Sequence, residues 1–216
     1  MAEAIGIGAG GHAKVVVEII QLMGHYQIAG LLDSDEKKVG SLVCGVRILG
    51  DDSLLSQLFA KGIRHAFMSL GSLGCESLRQ ELYEHARALG FEMISAVHPQ
   101  AVVSRFARLG NGPTIMAAAI INPGTMIGDN VIINSGAIVD HDCVIGDHVH
   151  VASGACLSGG VTVGGRSHIG AGAVVRQGIS IGENSIIGAG AVVVKNVPDN
   201  VTVVGVPARI HERQTV

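Results

Sequence analysis

Three consecutive residues, Asp140, His141 and Asp142, supply the groups that general base catalysis needs. A neutral imidazole is the usual general base near pH 7. A flanking carboxylate can accept its other N–H, fix its tautomer and raise its basicity. Histidine and aspartate are also ligands for Zn²⁺, and a short charged cluster can simply be a solvated corner. The residues alone therefore leave three interpretations open: a catalytic site, a metal site, or an exposed turn.

The stretch that must position this cluster is a repeat. Every sixth residue from Val103 to Val193 is Ile, Leu or Val, and the residue two places before each is mostly small. A glycine recurs every eighteen residues, from Gly110 to Gly182. A six-residue period inside an eighteen-residue period is typical of a hexapeptide β-helix, in which three short strands make one triangular coil. The stretch is long enough for about five coils, and its glycines and Asn130 suit corners that need a positive φ.

This repeat allows neighbours on successive coils to be read from the sequence. The residues one coil before and after His141 are Pro123 and Gly159, and neither is a metal ligand. This argues against a metal site, and we expect no metal. His150 and His168 are also one coil apart, so we expect one to stack on the other, with His168 a surface histidine.

The N-terminal part has a different pattern. Strand Ala4–Gly8 leads into a Gly6-x-Gly8-x-x-Gly11 turn and a helix over Val15–Met23, and a second strand, Gln27–Leu32, ends at Asp33. The glycines let a ligand approach the backbone, and the start of a helix attracts phosphate. Further elements are predicted at these ranges: a helix at Asp51–Lys61 with an Asp cap, a strand at Arg64–Gly71, a helix at Glu76–Leu89 and a strand at Phe91–Ile94. Only half of a dinucleotide domain is present, so a single nucleotide or a nucleotide-sugar fits better than a whole NAD.

Composition excludes other classes of protein. The chain of 216 residues is 48% hydrophobic but 3% aromatic, which suits a narrow prism of small aliphatic residues. A net charge of −3 without basic blocks argues against a nucleic-acid partner. The apolar runs are too short to span a membrane, and the N-terminus has no signal-peptide pattern, so we expect a cytoplasmic protein. We predict two domains: a nucleotide-sugar-binding domain at 1–95, and a β-helix with a C-terminal cap at 96–216.

The glycine turn Gly8-Ala9-Gly10-Gly11-His12-Ala13-Lys14, the repeat segment 139–146 and the closing Gly205-Val206-Pro207-Ala208-Arg209 together resemble the bacterial sugar O-/N-acetyltransferases. That family includes sialic-acid O-acetyltransferases and PglD-like N-acetyltransferases of nucleotide-linked 4-amino-4,6-dideoxy sugars. The resemblance implies a half-Rossmann β-α-β-α-β domain with a parallel sheet, followed by a left-handed parallel β-helix. It also implies a homotrimer with active sites between neighbouring β-helices, acetyl-CoA as donor and a nucleotide-sugar as acceptor.

The same resemblance implies roles for particular residues. His141 is expected to be the base and Asp142 the residue that raises its basicity. The expected acetyl-CoA contacts are His150, Gly159, Ala171 and Ala189. The expected nucleotide-sugar contacts are Gly10, Gly11, His12, Asp33, Ser34 and Gly71. Many relatives have Gly-Asp-Asn or Gly-Asn-Asn where this chain has Gly71-Ser72-Leu73, so the sequence does not decide between UDP and GDP.

Four functions follow from these observations. The first is N-acetylation of the 4-amino group of a nucleotide-linked sugar of the UDP-bacillosamine-precursor or GDP-perosamine type, for a surface glycan or glycoprotein. The second is O-acetylation of sialic acid on the same fold. The third is a non-enzymatic trimeric scaffold that binds a nucleotide-sugar. The fourth, a small NAD oxidoreductase, depends on the glycine motif alone and conflicts with the half-size domain.

Overall fold

A computed structural model of the chain describes residues 1–72 and 77–211, and these fall into two compact units. The first contains 1–72 and 77–99, and the second contains 100–211. The sequence placed this division after residue 95. Among the described residues, no helix is long and apolar enough to cross a membrane.

The first unit contains a six-stranded sheet, helices and one further short strand, Ala96–Val97, that is not part of this sheet. Its elements in chain order are β1 (Ala2–Ile7), α1 (Gly11–Met23), β2 (Tyr26–Leu32), a 3₁₀ turn (Glu36–Lys38), β3 (Leu42–Val43), β4 (Val46–Gly50), a 3₁₀ turn (Asp52–Leu54), α2 (Leu55–Ala60), β5 (His65–Met68), α3 (Ser77–Ala88), β6 (Glu92–Met93) and β7 (Ala96–Val97). The sheet order is β3-β4-β2-β1-β5-β6, and every pairing except β3 with β4 is parallel.

The chain order reverses around β1, since β2 and β5 lie on its two sides. In open parallel sheets, such a switch point leaves a crevice at the carboxyl ends of the strands. Tight packing beneath it depends on Gly6, where a Cβ atom would lie 2.4 Å from the Leu31 side chain. Gly8 then turns the chain with φ 107°, a conformation that favours glycine. The glycine turn is thus shaped by the fold as well as by any ligand.

Two parts of this unit differ from the sequence prediction. Helix α1 begins at Gly11, earlier than the predicted Val15. The hairpin of β3 and β4 was not predicted; its two-residue turn has positive φ at Cys44 (48°) and Gly45 (81°), as tight hairpin turns require. The predicted Asp cap is confirmed, because the Asp51 side chain accepts a hydrogen bond from the Ser53 backbone N–H. The predicted start of the next helix, Glu76, lies outside the described residues.

The second unit is a triangular prism of two-residue strands, as the repeat predicted. One face contains β10 (Thr114–Ile115), β13 (Ile132–Ile133), β16 (His150–Val151), β19 (His168–Ile169) and β22 (Ile186–Ile187), which continue into β24 (Thr202–Val204) and β25 (Arg209–His211). The second face contains β8 (Val102–Val103), β11 (Ile120–Ile121), β14 (Ile138–Val139), β17 (Cys156–Leu157), β20 (Val174–Val175) and β23 (Val192–Val193). The third contains β9 (Arg108–Leu109), β12 (Met126–Ile127), β15 (Val144–Ile145), β18 (Thr162–Val163) and β21 (Ser180–Ile181). The fold is an α/β domain followed by a left-handed hexapeptide β-helix.

The prism core consists of the repeat residues themselves. From Ile115 to Val193, the aliphatic residue of every hexad is buried, and the small residues of the second column, such as Ala137 and Ala155, are buried beside them. Each strand pairs in parallel with the strand eighteen residues away. The predicted positive φ angles occur at the corners, for example 56° at Asn130 and 69° at Gly160. The aliphatic core is therefore formed by the strand residues, and corner residues such as His141 and Asp142 are exposed.

Candidate active site

The corner that follows β14 carries Asp140, His141 and Asp142. Asp142 adopts the left-handed conformation with φ 59°, which aspartate tolerates better than most residues. Its backbone N–H donates to the Pro123 carbonyl on the coil before (3.1 Å), and the His141 carbonyl accepts from the Gly160 N–H on the coil after (2.9 Å). The backbone of the cluster is therefore fixed on both sides by neighbouring coils.

The side chains of this corner form a connected set. His141 Nδ1 lies 2.8 Å from Asp142 Oδ2. Asp140 Oδ1 accepts the His141 backbone N–H (2.8 Å) and the Asn122 side-chain amide (2.8 Å). With Nδ1 bound to a carboxylate, the proton of the neutral imidazole lies on Nδ1 and the lone pair on Nε2. This arrangement presents Nε2 as an acceptor, which is the state a general base needs.

Two carboxylates raise the pKa of His141. The hydrogen bond to Asp142 is the largest cause and the charge of Asp140 the next, because both stabilise the imidazolium. The pKa of Asp140 is lowered, since the His141 backbone N–H and then the Asn122 amide stabilise its charged form. In the single chain the His141 side chain is 54% exposed and that of Asp142 is 72% exposed. The pair is a solvent-accessible imidazole with a carboxylate at its Nδ1 atom.

Gly159 has no side chain, and this leaves the space that the imidazole of His141 occupies. A Cβ atom on Gly159 would lie 2.5 Å from both Cε1 and Nε2 of His141, closer than side-chain atoms pack. The ring therefore lies directly over a backbone position that must lack a side chain. From the sequence, Gly159 was the residue one coil after His141, an expected acetyl-CoA contact and a candidate backbone donor to the oxyanion, and Asn122 had no role. The one available signal for Asn122 was its position, one coil before Asp140.

His150 and His168 do stack, as their spacing predicted. Their ring centroids are 4.7 Å apart in an edge-to-face arrangement, and β16 and β19 pair them directly. His150 is 6% exposed, and its Nε2 lies 3.2 Å from the Asn134 side-chain amide nitrogen. His168 is half-buried against His150, so the expectation of a simple surface histidine was wrong.

The predicted acetyl-CoA contacts do not all meet within one chain. Ala171 and Ala189 follow β19 and β22 at one edge of the prism, where the Ala171 carbonyl accepts the Gly190 N–H (2.8 Å). Gly159 follows β17 at another edge, together with His141. Two separate surfaces of one protomer therefore carry the residues expected to line one path.

In the first unit, a cavity of about 480 Å³ lies at the switch point of the sheet. It is lined by main-chain and polar groups at the ends of β1 and β2, including Gly8, Gly10, Asp33 and Ser34, and by the apolar side chains of Leu70 and Leu82. Helix α1 begins at Gly11 with no side-chain cap, so its first N–H groups remain available to an anion. A nucleotide-sized space thus adjoins a helix N-terminus.

Asp33 is held inside this pocket. Its Oδ2 accepts the Ala9 N–H of the glycine turn (3.1 Å), its Oδ1 accepts the Asp35 N–H (3.0 Å), and Lys38 Nζ lies 3.0 Å from both oxygens. Burial raises the pKa of Asp33, but these donors outweigh it, and the net pKa is lowered. Asp33 therefore stays charged and fixes the shape of the turn, in addition to any contact with a ligand.

His12 and Gly71 lie together beside the turn. A Cβ atom on Gly71 would lie 3.2 Å from the Cβ of His12. The Nε2 atom of His12 is buried and has no hydrogen-bond partner in the part of the chain that is described. Burial, followed by the charge of Arg79, lowers the pKa of His12 to about 4. His12 is thus a neutral, buried polar group with capacity to bind, which fits the ligand contact that the resemblance implied.

No group of three His, Cys, Asp or Glu side chains within residues 1–72 and 77–211 is arranged to hold a metal ion. Around His141, the neighbouring coil positions are Pro123 and Gly159.

Comparison with known proteins places both units in one family. Residues 4–86 match the PglD N-terminal domain, and residues 106–141, 125–159 and 160–195 match the bacterial transferase hexapeptide repeat. Together with the full-length likenesses that follow, these matches show that the chain belongs to the nucleotide-amino-sugar N-acetyltransferases that join a PglD N-terminal domain to hexapeptide repeats.

Three relatives are particularly similar. Perosamine N-acetyltransferase from Caulobacter crescentus, solved as an H141N variant with CoA and GDP-perosamine, is 43% identical; the match covers 98% of this chain and 97% of that one, with a TM-score of 0.91. The acetyltransferase domain of PglB from Neisseria gonorrhoeae is 38% identical over 98% of this chain and 100% of that chain, with a TM-score of 0.90; it has also been solved with acetyl coenzyme A. UDP-N-acetylbacillosamine N-acetyltransferase from Bacillus subtilis is 38% identical over 112 residues, which are 51% of this chain and 50% of that protein.

Proposed function

We propose that this protein transfers the acetyl group of acetyl-CoA to the 4-amino group of a nucleotide-linked 4-amino-4,6-dideoxy sugar. The observation that carries this proposal is the His141–Asp142 pair, 2.8 Å apart, in a chain that matches an N-acetyltransferase with bound CoA and GDP-perosamine over its full length. In that relative the replaced histidine also has the number 141. The product would serve a surface glycan or glycoprotein.

The chemistry assigned to the corner is general base catalysis. The neutral amine attacks the thioester carbonyl, and His141 Nε2 accepts the proton that the amine loses as the new C–N bond forms. The C–S bond then breaks, and the same proton neutralises the departing thiolate. Asp142 keeps the other ring nitrogen protonated and stabilises the imidazolium that forms in between. No covalent acyl-enzyme is required.

The acceptor is assigned to the cavity of the first unit. The N-terminus of α1, with Gly10 and Gly11, suits the diphosphate, because unpaired N–H groups and the helix dipole both favour an anion there. His12 offers a buried nitrogen with no partner among the described residues. Asp33, Ser34 and Gly71 are assigned to the remainder of the nucleotide-sugar. Relatives carry names of both GDP- and UDP-linked sugars, so either nucleotide is compatible with the family.

The acetyl-CoA path is assigned to the space between two copies in a homotrimer. Within one protomer Gly159 and the Ala171–Ala189 pair lie at different edges of the prism, so one path can contain all three only if a second copy supplies one edge. The outer column of the second face is apolar throughout: Val102, Ile120, Ile138, Cys156, Val174 and Val192. Val102 and Val174 are 60% and 40% exposed, and association would remove this surface from water. His150 is assigned to the donor side of the same path. We place the reaction in the cytoplasm, where acetyl-CoA and nucleotide-sugars are available.

The decisive assay is thioester consumption with a panel of acceptors. The purified protein is given acetyl-CoA with a UDP-linked 4-amino sugar, a GDP-linked 4-amino sugar, or free sialic acid, and the mass of the product is measured. We expect one nucleotide-linked amine to gain a single acetyl group and sialic acid to remain unchanged. Acetylation of sialic acid alone, or of none of the acceptors, would contradict the proposed function.

A further inference from the structure

The edge of the prism that carries His141 continues toward the C-terminal end of the repeat and reaches a group of cations. Hydrogen bonds from Gly160 N–H to the His141 carbonyl (2.9 Å) and from Gly178 N–H to the Gly159 carbonyl (3.0 Å) stack the successive coils along it. The last corner on this edge lies between Val193, which pairs with Val175, and Val197, which bridges to Ile181.

That last corner carries Lys195 and lines a cavity of about 180 Å³ at the end of the prism. Arg209, from the closing segment, lines the same cavity, whose other walls include Val193, Val197 and Pro198. Among the described residues that line it, none is acidic. Asn196 Oδ1 accepts the Ser180 N–H (3.0 Å), which ties this corner to the coil below.

These cations lack carboxylate partners within the described residues. None of the ion pairs there includes Lys195 or Arg209, and the only side-chain hydrogen bond of Arg209 is donated to the carbonyl of Ala208. Arg176, which is also exposed, follows Val175 on the preceding coil of the same edge. Arg176 and Lys195 lie on one edge, and Arg209 lines the cavity at the end of that edge. Three positive charges around this end of the prism attract an anion with several charges.

The distance between His141 and the Lys195 corner indicates which anion fits this site. His141 and the Lys195 corner are three coils apart, or about 14 Å at about 4.8 Å per coil. The pantetheine arm of CoA joins its sulfur to its first phosphorus through about thirteen bonds, which extend over about 16 Å. A thioester held at His141 therefore places the phosphates of CoA beside this cavity.

We propose that Lys195 and Arg209, assisted by Arg176, bind the phosphate groups of acetyl-CoA. This inference deepens the proposed function, since it assumes that the donor carbonyl lies at His141. The cations would anchor the donor at its phosphate end. The expected consequence of losing them is weaker binding of CoA with an unchanged rate of acetyl transfer once the donor is bound.

The test compares two acetyl donors in two variants of the site and in one control variant. Lys195→Gln and Arg209→Gln each remove one charge and keep an exposed polar side chain. Lys61→Gln makes the same change at the exposed end of α2, in the first unit. We expect each of the first two to raise the KM for acetyl-CoA about tenfold with kcat unchanged, and Lys61→Gln to change neither. With acetyl-pantetheine, which has no phosphate, all three variants should match the wild type.

A variant effect of equal size on acetyl-CoA and acetyl-pantetheine would overturn the inference, and so would an unchanged KM for acetyl-CoA in both variants. Calorimetry with CoA alone separates this result from the proposed reaction, because it needs no acceptor. A wild-type protein that binds CoA through Lys195 and Arg209 but acetylates no sugar would refute the reaction and keep the phosphate site. Raising the salt concentration should weaken CoA binding to the wild type more than to Lys195→Gln.

Discussion

The polar groups at the switch-point pocket and at the His141 corner differ in how far they are buried and in what shifts their pKa values. In the pocket, the Asp33 side chain is 13% exposed and bound to three donors, and beside the adjoining glycine turn burial keeps His12 neutral with a pKa of about 4. At the corner, the side chains of His141 and Asp142 are more than half exposed, and the pKa of His141 is raised by carboxylates. Asp33 and His12 are thus held in one charge state by their surroundings, whereas His141 is an exposed imidazole whose pKa is raised.

The difference follows from the two folds. A parallel sheet with a switch point encloses a crevice within one chain. A β-helix buries only its inward columns, so chemistry on it must lie at corners on the outside. Water must then be excluded from the corner by the substrates and, in our proposal, by a neighbouring protomer.

The largest fall in turnover is expected when His141 itself is replaced. His141→Ala should lower turnover by about 10²–10⁴-fold, the usual contribution of a general base, while calorimetric affinities for CoA and the nucleotide-sugar stay within about twofold. His148→Ala is the matched control, because His148 is a corner histidine on another edge of the prism, where it takes the left-handed position itself, with φ 60°. Near-normal turnover in His141→Ala would make His141 a structural residue.

A smaller loss is expected from the glycine beneath the imidazole. In Gly159→Ala, the added Cβ would occupy space 2.5 Å from Cε1 and Nε2 of His141, so the ring must move. A displacement of about 1 Å can cost about a hundredfold in rate; we expect a fall in kcat of about ten- to a hundredfold with little change in melting temperature. Gly165→Ala is the control: its added Cβ would lie 3.2 Å from the Asp147 carbonyl oxygen, a less severe approach on another corner, and it should leave kcat nearly unchanged. Unchanged kcat in Gly159→Ala would show that the ring position is not critical.

Replacing the carboxylate partner of His141 should lower turnover more moderately, and the main change should be a shift in the pH dependence of kcat/KM. Because the base must be neutral, activity is lost as pH falls through the pKa of His141. Asp142→Asn removes the largest cause that raises this pKa, so the acidic limb of kcat/KM should move to lower pH and turnover should fall less than in His141→Ala. Asp140→Asn removes the second cause and should shift the limb less. If the acidic limb of the kcat/KM profile stayed at the wild-type pH in Asp142→Asn, Asp142 would not be the carboxylate that raises the pKa of His141.

The smallest change with pH is expected in the affinity for the nucleotide-sugar. With a pKa of about 4, His12 is neutral throughout pH 6–8, so the affinity for the nucleotide-sugar should stay nearly constant over the range in which turnover rises. Calorimetry at pH 6, 7 and 8 with the His141→Ala variant isolates this binding step. An affinity that followed the same titration as turnover would remove the contrast between the two regions.

The sequence predicted the prism well because each hexad makes its own interior contact, so the period identifies both strands and buried residues. The hairpin of β3 and β4 was missed, because its turn uses Cys44-Gly45 in place of the usual Asn-Gly or Asp-Gly signal. At the site, the neighbours of His141 in sequence were evident. Asn122 and the steric role of Gly159 become visible only when coils are stacked, since they act across eighteen residues of chain.

The central claim, that His141 is the base, is tested most directly by a proton NMR titration of its Cε1 resonance, assigned by comparison with His141→Ala. We predict a pKa above the ordinary histidine value of 6.5 that coincides with the acidic limb of the wild-type kcat/KM profile. A His141 that titrates at or below 6.5, or a kinetic limb at a clearly different pH, would contradict the account.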